Sequence, residues 1–166
     1  LLIEFLLVVF HYILLKPCDQ TILKSEISIK SKIIMKPTFK TRLAWEQAQV
    51  LMQPAMLRVV DNIRKELESS DWKGTYREVT LPIPGYHLCL TRLEYQVEVD
   101  VWELCYKVCF LEYEPIVHIF SQEDETAYPV DIDTRLIDEF GEIDWQLLES
   151  KAQQSVRRVF QTLPKE

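Results

Sequence analysis

At Val101 the hydrophobic period of this chain changes. Upstream, Tyr95, Val97, Val99 and Val101 alternate with Gln96, Glu98 and Asp100, the two-residue period of a strand with one face turned inward. Downstream, Trp102, Cys105, Tyr106, Cys109, Phe110 and Tyr113 recur every three or four residues, while Leu104, Val108 and Leu111 fill most of the remaining circumference. That pattern predicts a helix over Val101–Tyr113, apolar nearly all round and therefore buried on more than one side. Asp100 is placed to cap it, with Glu103 at the capping-box position. Continuation of the strand is the alternative, since Val and aromatic residues also suit sheets.

The flanking patterns build an α+β domain around this switch. Thr41 opens a helical pattern that Pro54 kinks or breaks, after which Met56, Val59, Val60, Ile63 and Leu67 form one apolar face. Strands are expected over Thr75–Leu81, Tyr86–Leu93 and Tyr95–Val101. In the second of these, Tyr86, Leu88 and Leu90 oppose His87, Cys89 and Thr91. A C-terminal amphipathic helix starts near Asp144 and carries Trp145, Leu148, Ala152, Val156, Val159 and Phe160 on one face. The predicted fold is an antiparallel meander of about three strands, packed on one face against N-terminal, central and C-terminal helices.

Residues 1–34 have a different composition. They lack Gly, Ala and Arg, and 14 of the 34 are Leu or Ile. The first methionine is Met35. The stretch 1–15 reaches only about 22 Å as a helix, short of a hydrocarbon core of about 30 Å. Residues 1–34 are accordingly read as upstream read-through or a truncated membrane segment, 35–40 as a linker, and 41–163 as one globular domain. A membrane role follows only if residues 1–15 are a genuine anchor.

Charge narrows the partners. Residues 1–40 hold six lysines against three acidic groups, whereas 41–166 hold thirteen basic against twenty-three acidic groups. Such a domain repels phosphate backbones, which argues against nucleic acid and toward a basic protein partner. Residues 121–149 form an acidic belt of ten Asp and Glu against Arg135 alone. Within it Asp131, Asp133, Asp138 and Glu139 are candidate partner-binding residues, and Trp72, in the turn S-S-D-W-K-G, is a candidate aromatic anchor. The alternatives are a solvating surface for the acids and an indole folded back onto Leu67.

His87 and Cys89 share a strand face, and Cys105 and Cys109 share a helix face. Three thiolates and one imidazole make a chemically sensible tetrahedral zinc set, although the spacing is not that of a zinc finger or ribbon. The alternative is that the cysteines pack as small apolar side chains while His87 faces solvent. With three glycines in the chain and no phosphate-cradling loop, no cofactor or catalytic residue is expected. Four cysteines (Cys18 is the remaining one) make no disulfide scaffold, so a reducing, cytoplasmic setting is the economical reading.

The runs W-K-G-T-Y-R-E-V (72–79), P-I-P-G-Y-H-L-C-L (82–90) and V-D-V-W-E-L-C-Y-K-V-C-F (99–110) resemble small uncharacterised proteins of cyanobacteria. The resemblance covers about residues 42–163. It implies a soluble cytoplasmic protein whose chain starts near the position of Met35, and it carries no assigned activity.

Overall fold

The computed structural model describes residues 37–80, 84–113 and 128–164, and these form an α+β unit. In chain order the elements are β1 (Pro37–Phe39), α1 (Arg42–Glu68), β2 (Lys73–Val79), β3 (Gly85–Arg92), β4 (Tyr95–Asp100), α2 (Val101–Cys109), β5 (Phe110–Leu111), β6 (Tyr128–Ile132), a 3₁₀ turn (Thr134–Leu136) and α3 (Trp145–Thr162). The three-stranded meander β2–β3–β4 is antiparallel throughout. A second sheet has the order β1–β6–β5, with β1 parallel and β5 antiparallel to β6.

Helix α1 begins where the sequence expects. Thr41 caps it, its hydroxyl accepting from the Ala44 N–H at 3.1 Å. Pro54 does not break it: the 27 residues from Arg42 to Glu68 form one helix, about 40 Å long. Proline deprives the Val50 carbonyl of its usual N–H partner. Val50 is an exposed residue opposite the core-facing side, so water can meet that carbonyl. The opposite side of the helix supplies Ala48, Leu51, Met52, Ala55, Met56, Val59 and Ile63 to the core.

The meander turns one face to the helices. Leu88 and Leu90 are fully buried there, with half-buried Val97 and Val99 beside them. Gly74 lies opposite Leu90 on the same face. A Cβ at Gly74 would sit 2.7 Å from Cδ1 of Leu67, so the last turn of α1 rests directly on this strand. Tyr95, expected inward, is half-exposed at the start of β4.

The period switch is real and lacks a loop: β4 ends at Asp100 and α2 begins at Val101. The Asp100 carboxylate accepts from the N–H groups of Trp102 (2.7 Å) and Glu103 (3.3 Å). Glu103 itself pairs with Lys107 one turn on, at 2.9 Å. Val101, Trp102, Leu104, Cys105, Val108 and Cys109 are all buried, because α2 packs on α1, α3 and β3 together. The helix stops four residues short of the expected Tyr113. Phe110 and Leu111 extend instead and pair with Ile132 and Asp131. Phe110 and Tyr113 are buried in this form too, Phe110 in the sheet and Tyr113 edge-on against Tyr106 and Phe110. Trp102, Tyr106 and Phe110 stack in sequence with centroids 6.1 and 5.4 Å apart, and Phe39 of β1 meets Phe110 edge-on at 5.8 Å. That contact makes Pro37–Phe39, expected as linker, part of the fold. Residues 1–34 lie outside the described residues.

Helix α3 is capped by Asp144, which accepts from the N–H groups of Gln146 and Leu147 at 3.1 and 2.9 Å. Leu148, Ala152 and Val156 are buried as predicted, and Val159 and Phe160 are half-buried. Trp145, expected in the core, is instead 49% exposed, with the Arg58 guanidinium 5.4 Å above its ring.

Leu93 opens the two-residue β3–β4 hairpin with φ at +51°, a left-handed conformation that costs a leucine about 1 kcal/mol or more. Its side chain is 81% exposed and gains little in return. Leu93→Asn is expected to stabilise the fold by about 1 kcal/mol in equilibrium urea unfolding. An unchanged or lowered midpoint would show that the leucine has contacts that outweigh the strain.

Candidate functional site

The four candidate zinc ligands do not converge. Alternation along β3 places His87 and Cys89 on the face opposite Leu88 and Leu90, and the helices cover the leucine face. His87 Nδ1 lies 3.4 Å from Glu98 Oε2, while Glu98 Oε1 accepts from Arg77 at 2.6 Å. Cys89 sits in register between Thr75 and Glu98. Cys105 and Cys109 belong to the other side of the sheet, inside the helical core. The Cys105 sulfur is 3.9 Å from that of Met56, and the Cys109 carbonyl accepts from the Asp133 N–H at 2.9 Å. Among the described residues no group of three or more His, Cys, Asp or Glu is placed to hold a metal ion. Burial pushes both core thiols up, Cys105 well above the ordinary range and Cys109 to about 12.

The acidic belt divides by task. Asp133 is 1% exposed and is no partner-binding residue. Its carboxylate accepts from Arg135 at 2.8 and 2.7 Å and from Lys151 at 2.7 Å, tying the 3₁₀ turn to α3. The Arg135 hydrogen bonds, joined by those of Lys151, hold this carboxyl well below the usual carboxylate range against the opposing effect of burial. Asp131 is exposed, but Lys40 reaches both its oxygens at 3.1 Å. Asp138 is an internal brace: one of its oxygens accepts from the N–H groups of Phe140 (2.9 Å) and Glu142 (2.8 Å). Asp144 is occupied in capping α3. Of the expected partner-binding acids, Asp138 and Glu139 are both exposed with no ion-pair partner among the described residues, and of the two Asp138 is already occupied by backbone N–H groups. Trp72 is 7% exposed and part of the core, so the exposed anchor expected there is absent.

What the structure adds is Phe140. It is 82% exposed at the tip of the loop between the bridged residues Ile137 and Ile143. The Asp138 N–H donates to the Glu142 carbonyl at 2.9 Å, the Gly141 N–H to the Asp138 carbonyl at 3.1 Å, and the Asp144 N–H to the Leu136 carbonyl at 3.0 Å. Gly141 supplies the positive φ (+83°) that closes the turn. Exposed Glu139 and Glu142 flank Phe140 in the sequence of this turn. The clue in the sequence was a lone apolar residue in an otherwise polar D-E-F-G-E turn, in front of the glycine. Its inclusion in a charged belt concealed it.

A second apolar feature runs along α1, where Leu43, Val50 and Leu57 are exposed at seven-residue spacing on the side away from the core. Among the described residues no helix is long and apolar enough to cross a membrane.

Two outcomes follow from this geometry. In the native protein at pH 8, thiol reagents followed by mass mapping are expected to leave Cys105 and Cys109 unmodified until denaturant is added; labelling of either under native conditions would contradict their burial. Asp133→Asn is expected to cost about 3 kcal/mol at pH 7, because it leaves Lys151 and Arg135 facing a neutral group. The native carboxyl titrates below its unfolded value of about 3.9, so its contribution is complete above that pH and is lost as the pH falls further. The variant's stability should therefore fall less steeply than the parent's below about pH 4. Parallel acid limbs would show that Asp133 is not the group responsible. In comparisons with protein-family models, curated proteins and solved structures, nothing matches this chain.

Proposed function

We infer that this chain is a small acidic interaction module that acts through protein–protein contacts with a basic partner in the cytoplasm. The observation that carries this reading is how its carboxylates are used. Asp100, Asp133, Asp138 and Asp144 are consumed by caps, a turn and a buried ion cluster, whereas Glu139 and Glu142, in the same turn as the exposed Phe140, have no ion-pair partner among the described residues. Unpaired charge of one sign next to exposed apolar surface suits recognition. The charge steers and selects, and the ring supplies the burial. The buried Cys105 and Cys109 are filler for the core on this reading, not reactive groups. The resemblance to small uncharacterised cyanobacterial proteins is compatible with it and assigns no chemistry.

The test is affinity purification of the tagged full chain from its own cells at low and high salt. One recurrent partner of basic charge is expected, with recovery falling at least tenfold between 50 and 300 mM salt, on the scale of screened charge steering (roughly an order of magnitude or more). Recovery of no recurrent partner, or of one whose binding ignores salt, would count against the module.

A further inference from the structure

We propose that Phe140 is the anchor of a docking site for a cationic protein surface bearing an apolar cleft wide enough for one phenyl ring. The proposal rests on the interaction-module reading and names the residues and the partner chemistry behind it. Phe140 is the most exposed of the large apolar side chains among the described residues, at 82%. A phenyl ring left in water on a turn contributes nothing to this fold, yet on insertion into a cleft it would bury on the order of 150 Å² or more.

The occupant is selected by charge. Glu139 and Glu142 flank Phe140 in the chain, exposed and without an ion-pair partner among the described residues, and Lys40, Arg135 and Lys151 are already committed to Asp131 and Asp133. A neutral or acidic cleft would have to accept two uncompensated carboxylates at its rim. A basic one is attracted to them and held in register. The α1 stripe of Leu43, Val50 and Leu57 has no such flanking charge to choose a partner. The ring is also held ready, since the Asp138 carboxylate already fixes the backbone on both sides of it, so docking costs little ordering.

The experiment places the photoreactive analogue p-benzoylphenylalanine at position 140 of the full chain in its own cells, with the same probe at the comparably exposed Leu93 as reference. Irradiation at position 140 is expected to yield one discrete heavier adduct that position 93 does not give. Its cross-linked peptide should map to a surface rich in Lys and Arg. Glu139→Lys with Glu142→Lys should cut the adduct at least tenfold without moving the thermal unfolding midpoint, and Phe140→Ala should weaken recovery of the same partner at least tenfold. Equal adducts at both positions, a cross-link to a second copy or to an acidic surface, or indifference to the charge reversal would overturn the proposal. If salt-sensitive purification returns a basic partner while position 140 gives no adduct, the module stands and this anchor falls. If both fail, both fall.

Discussion

The carboxylate of Asp133 is the point on which the second half of the fold turns. It is almost fully removed from solvent, and it survives there as an anion because Arg135 and Lys151 both donate to it. An unpaired buried carboxylate would cost several kcal/mol, so the arrangement is all or none. Through Lys151 it draws α3 onto the 3₁₀ turn, and the backbone N–H of the same residue donates to the Cys109 carbonyl at the end of α2. Once those three segments meet, the stretch from Ile137 to Asp144 must reverse within a few residues. The turn that presents Phe140 is the result.

A second polar seam supports the same packing from the side of α1. Asn62, buried within that helix, donates from Nδ2 to the Arg58 carbonyl at 2.8 Å and to Glu149 of α3 at 3.2 Å. Lys65 reaches the same glutamate at 3.3 Å. These contacts orient α3 on α1, while Leu148, Ala152 and Val156 bury the area between them. Apolar burial holds the two helices together, and the polar contacts select their register. The surface is left with carboxylates that no internal contact among the described residues requires, and two of them, Glu139 and Glu142, fall in the turn that carries Phe140.

Much of this architecture is legible in the chain. The switch of period at Val101, the caps Thr41 and Asp100, the start of the last helix near Asp144, and the inward set of Leu88 and Leu90 are local properties, readable because helical and strand periods differ. Where local signals admit two readings, distant contacts choose between them. At Pro54 the continuous helix is the observed reading, the proline being tolerated where the freed carbonyl faces solvent. Phe110 and Tyr113 satisfy helical spacing, yet a partner strand more than twenty positions later claims Phe110 for a sheet. The alternation of β3 already implied that His87 and Cys89 face away from the side the helices cover, so the zinc set was separable from the sequence by that argument alone.

The sequence by itself determined the helices, the meander, the buried cysteines and the acidic sign of the surface, since each follows from neighbours a few residues apart. Only the tertiary structure decided which acids are spent internally and which are left over. It also decided that Trp72 is core and Trp145 is not, and that the exposed ring belongs to Phe140. The reason is that pairing of a charge, like burial of a ring, depends on groups distant in sequence. Asp133 meets Lys151 across 18 residues and Asp131 meets Lys40 across 91, distances over which no local pattern carries information.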